Sequence, residues 1–164
     1  MLSEKQSIIR FNLAFLAFGD LLIISELPLQ DHKTITYPQL RLLKSIRLSL
    51  GYSAAEPTQT LMMNWPLVEN NKIDQGAVAA FEAVQAQLKK QMEKYQPKYV
   101  VLMGAAACQY VLGLTQSFDE LCGQLIANET LCAVITYGVN ELLKVPSLKL
   151  SAWQDLQVIR KVSK

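Results

Sequence analysis

The chain has 164 residues, a length that fits a single domain over 1–164. Its 16 Lys and Arg against 14 Asp and Glu leave a net charge of +2. That gives no electrostatic case for a dedicated nucleic-acid binder, while leaving room for a small basic patch. With 51% hydrophobic and 18% charged residues, some apolar area is expected to lie in a buried sheet and some against a partner.

The first apolar run, FNLAFLAFGDLLIISELPL from Phe11, is broken by Asp20 and lacks a small-residue cleavage signature. It reads as a first element over Phe11 to Phe18, a turn at Gly19-Asp20, and a buried strand from Leu21 to Ser25 closed by Glu26-Leu27-Pro28. No membrane association and a cytoplasmic location are expected. Pro38 opens a helical pattern with Leu42, Leu43, Ile46 and Leu50 on one face, Arg41, Lys44 and Arg47 off it, and Gly51 as its stop. Thr60 to Asn64 reads as the second strand. Asp74 is a candidate N-cap for a long helix from about Gly76 to Tyr95, with an apolar stripe of Phe81, Val84, Leu88, Met92 and Tyr95. Lys98 to Met103 is the third strand, followed at once by Gly104 and a short helix ending at Gly113. Ser117 to Ile126 reads either as a loop or as a short edge strand around GQLI. Leu131 to Tyr137 is the next strand. A helical turn at Glu141-Leu142-Leu143 comes after it, broken by Pro146-Ser147. A closing helix runs over Ser151 to Lys161, with Trp153, Leu156 and Ile159 as its apolar stripe.

This alternation predicts an α/β fold: a three-layer αβα arrangement around a mostly parallel sheet. In such sheets the ligand site lies in the loops at the carboxyl ends of the strands. Those loops hold little recognisable chemistry here. His32 is the only histidine and sits in a polar loop; solvation is its default reading over catalysis. No phosphate-binding glycine motif occurs. Cys108, Cys122 and Cys132 lack C-x-x-C spacing and read as buried thiols. No metal or cofactor is expected. Glu26, at a strand end, could orient water or bind a sugar, or equally cap a loop or pair with a surface Lys, and Asn64 could read a base edge or form a turn.

The order of motifs, from about Leu21 to Arg160, resembles the uracil-DNA glycosylase superfamily. SELPL (Ser25 to Leu29) stands where that family has Gly-Glu-Ala-Pro-Gly, and TLMMN ends in the Asn64 that closes its second strand. PKYVVLMGAAA is similar to its third strand, and ITYGVNELLKVPSLKLSAWQDL to its Thr-Tyr-His-Pro-Ser segment with the Leu-Leu, Pro and Trp-x-Asp-Leu beyond. The resemblance implies four strands in the order 2-1-3-4. It places the site at Ser25, Glu26, Leu29, Asn64, Tyr137, Gly138, Val139 and Asn140. The departures fall on the chemistry. Gly138 replaces the histidine that stabilises the departing base, Val139-Asn140 replaces Pro-Ser, and Ser25 and Leu29 replace two glycines.

The chain is similar, too, to a non-enzymatic family of this fold, the psi subunit of bacterial DNA polymerase III, through Glu26-Leu27-Pro28 and LLKVPSLKLSAWQDLQ. That resemblance implies a replication accessory subunit without catalytic residues, joining the clamp loader to the chi subunit and meeting DNA weakly or indirectly. Two other readings stand beside it. One is an active uracil or lesion glycosylase rewired around Glu26, Asn64 or Asn140. The other is a nucleic-acid binder without chemistry.

Overall fold

The computed structural model describes residues 10–18, 20–28, 35–51, 59–65, 77–113, 116–127, 129 and 131–162. Among them are six strands, β1 (Phe11–Phe18), β2 (Leu21–Leu27), β3 (Gln59–Trp65), β4 (Tyr99–Met103), β5 (Leu125–Ala127) and β6 (Cys132–Thr136). The helices are α1 (Tyr37–Ser49), α2 (Ala77–Tyr95), α3 (Ala105–Leu112), α4 (Phe118–Leu121), α5 (Val139–Lys144) and α6 (Leu148–Val162). Leu29, His32 and Asp74 lie outside the described residues.

All six strands join one mixed sheet in the order β3-β1-β2-β4-β6-β5. This corrects the expected count of four strands and the expected mostly parallel sheet, since three of the five strand pairings are antiparallel. The four expected strands keep the order 2-1-3-4 across the sheet, with β1 inserted between the first two. The four expected strands, β2, β3, β4 and β6, do run the same way. The pairs β2–β4 and β4–β6 are parallel. But β1 is threaded antiparallel between β2 and β3, and β5 adds an antiparallel edge beside β6. The physical cause lies in FNLAFLAF. Every residue of this run is buried, as a strand needs when it has neighbours on both edges and helices or loops over both faces. β1 and β2 pair antiparallel from Asn12 opposite Leu27 to Phe18 opposite Leu21.

Side-chain alternation along the strands divides the core. Phe11, Leu13, Phe15, Leu22, Ile24 and Ile135 pack towards α2 and α3. Leu16, Phe18, Leu21, Ile23, Val101 and Val134 pack towards α1, α5 and α6. Helices therefore cover both faces.

Local chemistry sets the helix ends. Thr36 caps α1: its Oγ1 accepts from the Gln39 N–H at 3.4 Å, and Gln39 Oε1 accepts from the Thr36 N–H at 2.9 Å. Three expected faces shift. Arg47 is buried, with its guanidinium 5.1 Å from the Phe18 ring, rather than lying off the apolar face. On α2 the buried stripe runs through Ala80, Val84 and Leu88, and Phe81, 36% exposed, lies at its edge over Gly113. On α6 the buried stripe is Ala152, Leu156 and Ile159, while Trp153 is 47% exposed.

Candidate functional site

The carboxyl ends of β2, β4 and β6 meet at Glu26, Gly104 and Gly138. Their fit is tight. A Cβ on Gly104 would stand 2.8 Å from Glu26 Cβ, 2.9 Å from Glu26 Oε1 and 3.4 Å from Gly138 Cα. Gly104 has φ +97°, where a side chain is strained whatever the space. The missing side chain lets α3 start directly against β2. Glu26 Oε1 then accepts a 2.7 Å hydrogen bond from the Ala106 N–H in the first turn of α3. The Glu26 carboxylate thus satisfies an amide that a helix start leaves without an intrahelical partner.

A second carboxylate does the same beside it. Glu141 Oε1 accepts from the Gly138 N–H at 3.1 Å, closing the start of α5. Between these groups lies a cavity of about 220 Å³, walled by Glu26, Leu27, Pro28, Phe118, Asn140 and Glu141, among others. Phe118 meets the Tyr137 ring edge-on, with centroids 6.2 Å apart. Pockets for small organic ligands usually start at about 300 Å³, so this cavity is small.

The expected site residues divide between this cavity and other places. Glu26, Gly138 and Asn140 line it. Tyr137 is half-buried at its rim, against Phe118. Ser25 is fully buried, its Oγ donating to the Glu26 carbonyl at 3.1 Å. Val139 is fully buried in the core on the α1 side. Asn64 is not brought in. With β1 between β3 and β2, strand spacing puts it about 10 Å from β2. It pairs in register with Asn12, whose Nδ2 donates to the Pro28 carbonyl at 2.8 Å. Asn64 Oδ1 is buried without a hydrogen-bond partner. Phe11 also stacks on Tyr110 at 4.6 Å and lies parallel to Trp65 at 6.3 Å, so aromatic packing ties the start of β1 to α3 and the end of β3.

Sequence reasoning did not find Glu141, Phe118 or a further cluster behind β6. Glu141 had a signal: it stands three residues after Gly138, the spacing of a carboxylate reaching back to a helix start. In the cluster, Thr136 Oγ1 donates to Asp155 Oδ2 at 2.9 Å, and the Cys122 thiol lies 3.9 Å from the same oxygen. Burial pushes the Asp155 carboxyl above its ordinary range, and the hydrogen bonds from Thr136 and Cys122 pull it partly back. Burial, then the Asp155 charge, raises the Cys122 thiol to about 11. The Tyr137 phenol is raised too, first by Cys122 and then by burial. A thiol held so high is a poor nucleophile at neutral pH. Among the described residues, no group of three or more His, Cys, Asp or Glu is placed to hold a metal ion. No described helix is long and apolar enough to cross a membrane.

No protein-family model matches the chain, and no curated protein matches it.

Proposed function

We propose that this chain is a non-catalytic interaction subunit of the psi type, linking the clamp loader of DNA polymerase III to the chi subunit and meeting DNA only weakly or through its partners. The observation that carries the non-catalytic part is the pair of carboxylates, Glu26 and Glu141, in the wall of the strand-end cavity. Base excision puts negative charge on the departing base, and a site for it needs hydrogen-bond donors or cations. This cavity offers two carboxylate acceptors; of its lining residues only Asn140 carries a side-chain donor and none carries a cation. Two nearby backbone donors, the N–H groups of Ala106 and Gly138, are already engaged by the chain's own carboxylates. A nucleic-acid phosphate entering here would meet like charge. The replication partners rest on the resemblance carried by Glu26-Leu27-Pro28 and by the segment from Leu142 to Gln157.

A tagged pull-down from the native cell at normal expression, read by mass spectrometry, tests the reading. Clamp-loader and chi subunits are expected in comparable amounts. Their absence beside a soluble, monomeric bait would overturn the replication assignment. Uracil excision by the purified chain, lost in Glu26→Gln, would overturn the non-catalytic part.

A further inference from the structure

A second cavity of about 220 Å³ lies between α1 and α6, with Leu142 of α5 also lining it. Leu42, Ser45, Ile46 and Ser49 of α1 form one wall, and Lys149, Ala152, Trp153 and Leu156 of α6 form the other. Each set has the spacing i, i+3, i+4, i+7, one stripe of a helix about 10 Å long. Two such stripes walling one cavity make a groove of the kind into which an amphipathic helix lays its apolar face. Large apolar side chains stand exposed on the same helices: Leu48 at 49%, Trp153 at 47% and Leu150 at 64%.

Charge around this groove is mostly positive. Helix α1 carries Arg41, Lys44 and Arg47 and no acidic residue. Arg41, Lys144 and Lys149 are exposed. The one acid of α6, Asp155, accepts from Thr136 behind β6, and Glu141 of α5 is bonded to the Gly138 N–H. Helix α2, on the opposite face of the sheet, mixes its signs instead: Glu82 and Glu93 stand exposed with Lys89, Lys90 and Lys94. Among the described residues, the helices that wall the groove thus carry more basic than acidic side chains.

We infer that the α1/α6 groove docks an amphipathic helix of a partner protein, with about two turns of apolar anchors in the groove and acidic residues along its flanks. The anchors cover Ile46, Ala152 and Trp153, and the acids meet Arg41, Lys144 and Lys149. This rests on the reading of the chain as an interaction subunit and adds the chemistry of what it binds.

The probe is a synthetic peptide of about four helical turns, with Leu at i, i+3, i+4 and i+7 and Glu at the other positions. A second peptide carries Lys in place of every Glu. Trp65 is buried, so a change in tryptophan emission on titrating the full chain reports on Trp153. The Glu peptide is expected to bind saturably and the Lys peptide at least about tenfold more weakly. Lys149→Glu is expected to cost about tenfold in affinity and to reduce the salt dependence. Ser45→Glu, at an exposed position, is expected to block the groove. Should that variant fail to fold, Lys149→Glu decides alone. Equal binding of both peptides, no saturable binding, or self-association of the chain that Ser45→Glu abolishes would each overturn the inference. The native pull-down separates the two failures. Partners recovered equally by wild type and Lys149→Glu, with no peptide binding, would sink the groove and leave the interaction subunit standing.

Discussion

The strand-end cavity and the α1/α6 groove have the same volume, about 220 Å³ each, and opposite chemistry. At the strand ends the chain has fitted itself together: a glycine without room for a Cβ, and two carboxylates bonded to two helix starts. At the groove it has left apolar side chains unfilled under a basic rim. Volume alone does not mark a site. What distinguishes the two is whether the surrounding groups already have their partners. Groups satisfied within the chain contribute to stability, whereas an exposed tryptophan beside a groove gains by being covered.

The sharpest way to break this contrast is at Gly104. In Gly104→Ala the new Cβ would stand under 3 Å from both Glu26 Cβ and Glu26 Oε1, on a backbone with positive φ. Strain and displacement of Glu26 together should cost about 2–4 kcal/mol, read as a lower urea midpoint with an unchanged slope. A midpoint equal to wild type would mean that the strand ends are looser than the close fit implies.

A smaller effect is expected at Glu26 itself. Glu26→Ala removes the acceptor for the Ala106 N–H and should cost about 1–2 kcal/mol. Glu26→Gln keeps an acceptor oxygen and should cost about half as much. The sign is informative. Groups held strained for catalysis often stabilise a protein when removed. A gain in stability on Glu26→Ala would therefore turn the strand-end cavity back into a candidate active site.

The parallel half of the sheet was legible in the sequence because each strand there, β2, β4 and β6, is a short apolar run that stops at a polar or glycine break. The segments of the antiparallel half, Phe11 to Phe18 and Thr60 to Asn64, were legible too, but their pairing was not. FNLAFLAF has no alternation to show which way it faces, since β1 is buried on both faces, and nothing local marks it as the strand that separates β2 from β3. That one insertion moves Asn64 away from Glu26, and spacing along the chain cannot reveal it. Trp153 misled for the opposite reason. The 3.6-residue period allows either 152 or 153 on the inward stripe, and tryptophan's apolarity favoured the wrong one. Asp155 looks like an ordinary surface acid in sequence, because its partner is a threonine 19 residues away.

The finest test uses Asp155, which ties α6 to the end of β6 two residues from Trp153. Its native pKa lies above the ordinary 3.8, chiefly through burial, so folding favours the neutral carboxyl. Linkage sets the sign: this group's contribution is complete at pH below its unfolded value and is lost as pH rises through the raised native value. Asp155→Asn keeps an acceptor for Thr136 and carries no charge. Its stability relative to wild type should therefore increase as pH climbs from about 4 toward neutrality, by no more than about 1 kcal/mol, in urea titrations at a series of pH values. Cys122 supplies a second readout. A thiol at about 11 instead of 9.0 presents about a hundredfold less thiolate at pH 8, so iodoacetamide should label it far more slowly than free cysteine. Asp155→Asn lifts the charge contribution and leaves the larger one from burial, so labelling should speed up and still lag the free thiol. Wild-type Cys122 reacting as fast as free cysteine would show that the space behind β6 is open to water, and that α6 is held there less firmly than its bond to Thr136 implies.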